Sequence, residues 1–104
     1  MTVELSAEEE SMLRHTVGAS PGTKKKSRGY RNNFCVDVGS GDDVLMQQLV
    51  RRGLMVAGAT INNGTSRYYH ATQAGCDAIG LHKAATSRAL EKIRSIINGT
   101  AGKR

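Results

Sequence analysis

Asp42-Asp43-Val44-Leu45-Met46-Gln47-Gln48-Leu49-Val50-Arg51-Arg52-Gly53-Leu54-Met55-Val56, then Asn62-Asn63-Gly64-Thr65, then Arg67-Tyr68-Tyr69-His70-Ala71-Thr72-Gln73-Ala74-Gly75-Cys76-Asp77-Ala78-Ile79-Gly80-Leu81 is the stretch that decides the fold. In its first piece Val44, Leu45, Leu49 and Val50 fall on one side of a helix, with Met46 at the margin. Ser40 or Asp42 serves as its cap. Acids fill its first turn, and Arg51 and Arg52 fill its last, as the helix dipole favours. Gly53 supplies the residue past the end. Residues 54–61 and 65–71 then flank Asn63-Gly64, the strongest short hairpin signal, because both central residues of a type I′ turn need positive φ. Thr72 caps a short helix over residues 73–79 that Gly80 closes. The stretch therefore reads as helix, hairpin, helix.

Upstream, Ser6-Ala7-Glu8-Glu9 is a capping box, in which the Ser6 hydroxyl and the Glu9 carboxylate satisfy each other's backbone amides. Met12, Leu13, Thr16 and Val17 continue it as a helix over residues 7–17, ended by Gly18. Residues 18–33 read as a loop, since Gly18, Ser20, Pro21 and Gly22 break any regular element. Within it Lys24-Lys25-Lys26-Ser27-Arg28-Gly29-Tyr30-Arg31 concentrates five bases in eight positions. This run is either a solvated, mobile loop or an arm that contacts phosphates, with Tyr30 free to stack or to bond a phosphate. Phe34, Val36 and Val38 alternate with Cys35 and Asp37 as in a short strand that pairs with the hairpin. No amphipathic run is left for a further helix before Asp42. Downstream, Ala85, Ala89, Leu90, Ile93, Ile96 and Ile97 share one side of a terminal helix over residues 82–97. That side completes the core or pairs with its copy in a homodimer. Asn98-Gly99 closes it, and residues 99–104 form a flexible basic tail.

Leu49-Val50-Arg51-Arg52-Gly53-Leu54-Met55 resembles the leucine-x-x-x-glycine-leucine end of a winged-helix recognition helix. Tyr68-Tyr69-His70-Ala71-Thr72-Gln73-Ala74-Gly75 resembles the tyrosine-x-leucine-threonine-x-x-glycine exit from the wing in MarR-type and PadR-type regulators. The resemblance covers about forty of the 104 residues. It implies an α+β, winged-helix-like domain over residues 1–98: helix, short strand, helix, β-hairpin wing, short helix, terminal helix. The second helix of the helix-turn-helix is atypical or missing. It further implies DNA binding by the helix over residues 42–52, with Gln47 and Gln48 reaching base edges and Arg51 and Arg52 on phosphates. Arg67 on the wing and Lys24, Lys25, Lys26, Arg28 and Arg31 of the loop would add phosphate contacts. The segment Tyr30-Arg31-Asn32-Asn33-Phe34-Cys35 and the small size also resemble small proteins encoded by tailed phages and prophages.

Length and composition agree with one small domain built on an aliphatic core, since Tyr30, Phe34, Tyr68 and Tyr69 are the only large aromatic rings. Charge is unevenly spread. Residues 1–23 hold four acids against one base, a net of −3, and residues 24–104 hold fourteen bases against five acids, a net of +9. Such a body attracts phosphate polyanions or an acidic protein surface, and salt weakens that attraction. The acidic N-terminus does not look like a signal peptide and no window is apolar enough for a membrane span. A reduced, cytoplasmic protein is expected, in a host bacterium's cytoplasm for a phage-encoded chain.

Enzyme chemistry finds little support. No G-x-S-x-G, Walker loop, Rossmann glycine pattern or H-E-x-x-H occurs. Cys35, His70, Cys76 and His82 lack finger-type spacing, which favours a buried thiol and surface imidazoles over a metal site. Asn63-Gly64-Thr65 and Asn98-Gly99-Thr100 match the glycosylation acceptor pattern, but turn and helix-end roles account for both. The expectation is a non-enzymatic protein with no cofactor and no metal, binding double-stranded DNA as a small transcriptional regulator or accessory factor. The alternative is a protein-interaction module on the same fold, an adaptor or inhibitor acting on an acidic surface of a host protein.

Overall fold

The structure, a computed structural model, describes residues 4–93. Helix α1 (Ala7–Thr16) leads through a loop with one 3-10 turn (Lys25–Ser27) to strand β1 (Phe34–Asp37). Helix α2 (Gly41–Arg51), strands β2 (Met55–Ile61) and β3 (Ser66–Ala71), and helices α3 (Gln73–Ala78) and α4 (Lys83–Glu91) follow. The fold is α+β, with an antiparallel sheet ordered β1-β3-β2. The short strand thus pairs with the far arm of the hairpin, Phe34 opposite Tyr69 and Val36 opposite Arg67. Among the described residues no helix is long and apolar enough to cross a membrane. The expected end of the terminal helix, with Ile96, Ile97, Asn98 and Gly99, and the tail over residues 99–104 lie outside the described residues.

Local signals set the helix ends. The Ser6 amide donates to Glu9 Oε1 at 2.9 Å and the Glu9 amide to Ser6 Oγ at 3.1 Å, closing the capping box of α1. Ser40 rather than Asp42 caps α2, accepting from the Asp43 amide at 3.2 Å. Thr72 caps α3 through the Gly75 amide at 3.1 Å. Leu13 of α1 and Val17 at its C-cap, Met46 and Leu49 of α2, and Met55 and Tyr69 of the sheet make the centre of the core. Ala85, Ala89 and Ile93 of the last segment are buried in the chain's own core too.

The apolar stripe expected on α2 is corrected: Asp43, Met46 and Leu49 face inward, while Val44 is 51% exposed. Tyr69 causes the rotation. Its ring is fully buried, so its hydroxyl must find polar partners inside the fold. Asp43 Oδ1 accepts from it at 2.6 Å, and Gln47 Nε2 donates to it at 2.6 Å. Positions 43 and 47 are one helical turn apart, so their side of α2 turns to the sheet and carries Val44 out.

The hairpin turn is also shifted. The Gly64 amide bonds to Ile61 O at 3.1 Å, so the central residues are Asn62 and Asn63, at φ 55° and 58°, and Gly64 follows at 85°. Asn-Asn tolerates the left-handed region, which moves the turn one residue ahead of Asn63-Gly64. Further along the hairpin the register slips between Ala57 and Thr60, a β-bulge at Gly58 and Ala59. A side chain at Gly58 would collide with the His70 imidazole, which is buried there with Nδ1 2.7 Å from Asn32 O. His70 is therefore an interior histidine, not the surface imidazole expected.

Asn32 fastens the centre of the molecule. Its side chain is buried and acts as a substitute peptide group for the end of β3. Oδ1 accepts from the Ala71 amide at 2.7 Å, and Nδ2 donates to Ala71 O at 3.0 Å and to Ala89 O at 3.1 Å. One amide thus ties the sheet to α4.

Two carboxylates give the fold an acid-sensitive component. The Ser6 amide chiefly holds Glu9 below its ordinary value of 4.5, burial opposes it, and Arg52 assists. The Gly39 amide and then the Tyr69 hydroxyl hold Asp43 below 3.8 against burial, with Arg67 assisting. A depressed carboxyl stabilises the fold above its unfolded value, and that contribution fades as pH falls through the folded value. Urea midpoints are expected to hold from neutral pH down to about 5 and to fall from about 4.5 downward. Asp43→Ala is expected to cost about 1–2 kcal/mol at pH 7, mainly by stripping the Tyr69 hydroxyl of its acceptor, and to flatten the lower part of the fall.

Candidate nucleic-acid interface

The loop carrying the basic run is folded onto α4 rather than hanging as a free arm. The Gly29 amide donates to Val17 O at 2.9 Å, and the Asn33 amide to Thr16 O at 3.0 Å, tying the loop to the end of α1. Gly29 lies so close to α4 that a Cβ there would collide with the Ala85 carbonyl oxygen. From α4, Arg88 donates to Arg28 O through Nε at 3.0 Å and Nη2 at 2.9 Å, and reaches Lys25 O at 3.5 Å. The guanidinium thereby caps the 3-10 turn, whose own bonds run from the Ser27 amide to Lys24 O and from the Arg28 amide to Lys25 O.

The result is an ordered cluster of positive charge. Lys24, Lys25 and Lys26 are exposed, and Arg28 is half-buried, with Nε on Thr23 O at 3.1 Å. Arg88 joins them, and His82, the N-cap residue of α4, stands close enough for Lys25, Arg88 and Arg28 to act on its imidazole. Burial first, and these cations second, hold His82 below the usual histidine value of 6.5. The sequence does not single out Arg88, and it brings up His82 only as a metal-ligand candidate without the right spacing. The bond joining Arg88 to Arg28 spans 60 positions, and no local pattern announces it. At the edge of the loop Tyr30 is 52% exposed, its ring over Gly18 with the Arg31 guanidinium carbon 5.3 Å from the ring centre. Arg31 itself is partly committed, donating to His15 O through Nε at 2.9 Å and Nη2 at 2.7 Å, where it satisfies the end of α1.

The other expected contacts sit elsewhere and are less available. Arg52 grips Glu9 through Nη1 at 3.0 and 3.1 Å and also donates to Glu4 O, latching the end of α2 to the start of α1. Gln47 is spent on the Tyr69 hydroxyl. Arg67 is half-buried on β3, close enough to add positive charge at Asp43. Gln48 and Arg51 are exposed on the outer side of α2, together with Asp42 and Val44. The structure therefore gathers Lys24, Lys25, Lys26 and Arg28 with Arg88. It anchors that group on α4, whereas Gln48 and Arg51 belong to α2.

Cys76 is buried, and burial pushes its thiol up to about 11, which makes it a poor nucleophile, while Cys35 is exposed on β1. Among the described residues no three His, Cys, Asp or Glu side chains converge as metal ligands would. No protein-family model matches this chain, and no curated protein or solved structure matches it.

Proposed function

We propose that the protein is a non-enzymatic DNA-binding protein of winged-helix type, a small regulator or accessory factor such as phages and prophages encode. The observation that carries this reading is the ordered cationic cluster of Lys24, Lys25, Lys26, Arg28 and Arg88. Fixing cations on a folded loop sets several positive charges against one another, and a polyanion is the ligand that relieves the repulsion. The β1-β3-β2 sheet, with α2 entering directly ahead of the hairpin, supports the winged-helix part. In this reading the loop and α4 hold the phosphate backbone, while Gln48 and Arg51 offer the remaining contacts from α2.

A second reading keeps the fold and changes the partner to an acidic protein surface. It draws on the outer side of α2, where Val44 is 51% exposed near the exposed Asp42, and on Val38, 45% exposed in the turn that leads into α2. Exposed valines suit a protein partner better than a phosphate groove, and the cations of the Lys24–Arg28 loop, not Asp42, would meet its acidic groups.

Fluorescence anisotropy with random duplex DNA across a salt series tests the first reading. Binding is expected at low salt, and alanine at Lys24, Lys25 and Lys26 together is expected to lower the log–log salt slope by about two to three. No binding at low salt would retire the DNA reading and leave the protein-interaction module.

A further inference from the structure

We infer that Tyr30 and Arg31 form a stacking platform for an unpaired nucleobase, so that the DNA this chain prefers carries a single-stranded segment beside the phosphates held by the loop. The inference rests on the nucleic-acid reading of the Lys24–Arg28 cluster and names the form of its ligand. That form is a duplex that ends or opens into single strand, rather than a closed one.

Of the four large aromatic rings only Tyr30 is exposed, at 52%; Tyr69 is fully buried, and Phe34 and Tyr68 are half-buried. The Tyr30 ring is nevertheless held in place. The backbone on either side of it is fastened to the end of α1, by the Gly29 amide on Val17 O at 2.9 Å and the Asn33 amide on Thr16 O at 3.0 Å. The buried Asn32 side chain anchors the same segment to Ala71 and Ala89. The ring itself lies against Gly18, where a Cβ would collide with Tyr30 Cδ1 and Cε1, so bare backbone lets it settle there. A flat apolar surface is thus fixed in position while half of it stays in water.

Arg31 extends that surface. Its guanidinium carbon stands 5.3 Å from the ring centre, and bonds from Nε and Nη2 to His15 O at 2.9 and 2.7 Å keep it there. A planar cation beside an aromatic ring is a surface on which a base stacks, through its face on the ring and a cation–π contact with the guanidinium. The phosphates of the same strand have partners close by. Arg28 precedes Tyr30 by two residues, so their backbones lie within about 7 Å. One or two nucleotides span that distance at roughly 3.4 Å of strand each, and the exposed Lys24, Lys25 and Lys26 continue the line of charge. In a closed duplex each base is covered above and below by its neighbours, so only an unpaired or terminal base has a face to offer. Stacking reads no base edge and accepts any sequence, so the platform selects the form of the strand.

Fluorescence anisotropy tests this with three duplexes of one sequence: blunt, extended by a short single-stranded tail, and extended by the same tail with abasic sugars. The abasic tail keeps the phosphates and removes the bases. The base-bearing tail is expected to bind about tenfold tighter than the abasic one, in the lower part of the range for one stacked base. Tyr30→Leu should bring the two tails to within about twofold, and Tyr30→Phe, which keeps the ring, should preserve the difference. In the unaltered protein, the Tyr30 ring proton signals should move upfield with the base-bearing tail and not with the abasic one. Equal affinity for the two tails, or Tyr30 signals that do not move, overturns this inference, and a blunt duplex that still binds leaves the nucleic-acid reading standing. A loss in Tyr30→Phe as large as in Tyr30→Leu also overturns it, because the hydroxyl would then make the contact. A base-bearing tail that binds through Tyr30 while the blunt duplex fails to bind upholds the platform and overturns the double-stranded reading. No binding of any of the three overturns both.

Discussion

Asn32→Ala is expected to be among the most damaging single changes in this protein, lowering the unfolding free energy by about 3–5 kcal/mol. The side chain is 2% exposed and saturates three buried backbone groups at once: the amide and carbonyl of Ala71 and the carbonyl of Ala89. Alanine would leave both Ala71 groups without partners, while Ala89 O keeps the Lys92 amide at 3.2 Å, and leaving one buried polar group unpaired costs about 1–3 kcal/mol. A domain of this size has only about 5–15 kcal/mol of stability in total, so much of the population would unfold near 37 °C. Asn32→Asp keeps the shape but sets a carboxylate against two carbonyl oxygens, and its loss at pH 7 should be comparable. Urea unfolding followed by circular dichroism gives both numbers. A loss below about 1 kcal/mol in the alanine variant would mean that water replaces the side chain.

Gly29→Ala is the second large effect, and it connects the fold to the cationic cluster. Gly29 is buried at φ 82°, and the added methyl meets the backbone of α4 rather than a side chain that could swing aside. Left-handed strain and the forced separation together are expected to cost about 2–4 kcal/mol. Gly22→Ala is the matched control, since Gly22 has φ 94° with open space around it and should cost only about 1 kcal/mol. Where the lost stability appears is the diagnostic part. Lifting the loop from α4 breaks the Arg88 contacts, so trypsin should cut after Lys24, Lys25, Lys26 and Arg28 faster in Gly29→Ala than in Gly22→Ala. Duplex binding should weaken in parallel. Equal cleavage in the two variants would mean that the loop opens independently of Gly29.

The sequence made the local elements legible because each rests on neighbours. The Ser6 and Glu9 box, the Thr72 cap, the alternation through Phe34 and Val36, and the hairpin all act over a few positions. The misreadings have distant causes. The outward turn of Val44 follows from the Tyr69 hydroxyl, which reaches Asp43 across 26 positions. The burial of His70 depends on Gly58 making room and on Asn32 O lying 38 positions away. The basic run was legible as charge but not as a docked segment, because its fastening comes from Ala85 and Arg88. Composition could show how many cations there are; only the packing shows which of them meet. Gln47, Arg31 and Arg52 illustrate the converse, since residue types that suit a nucleic-acid contact are also those that satisfy a buried hydroxyl or a helix end.

The irregularity at Gly58 and Ala59 has a further consequence outside the folded monomer. Strand β2 lies at an edge of the sheet, and Met55–Ile61 holds seven uncharged residues with no proline. An edge of that composition, if straight, is a template on which a second copy can lay a matching strand, the first step toward fibrous aggregation. The bulge breaks the even spacing of its outward amides and carbonyls and twists the edge. The kink that seats one buried imidazole thus also keeps crowded copies of the chain from stacking into a shared sheet.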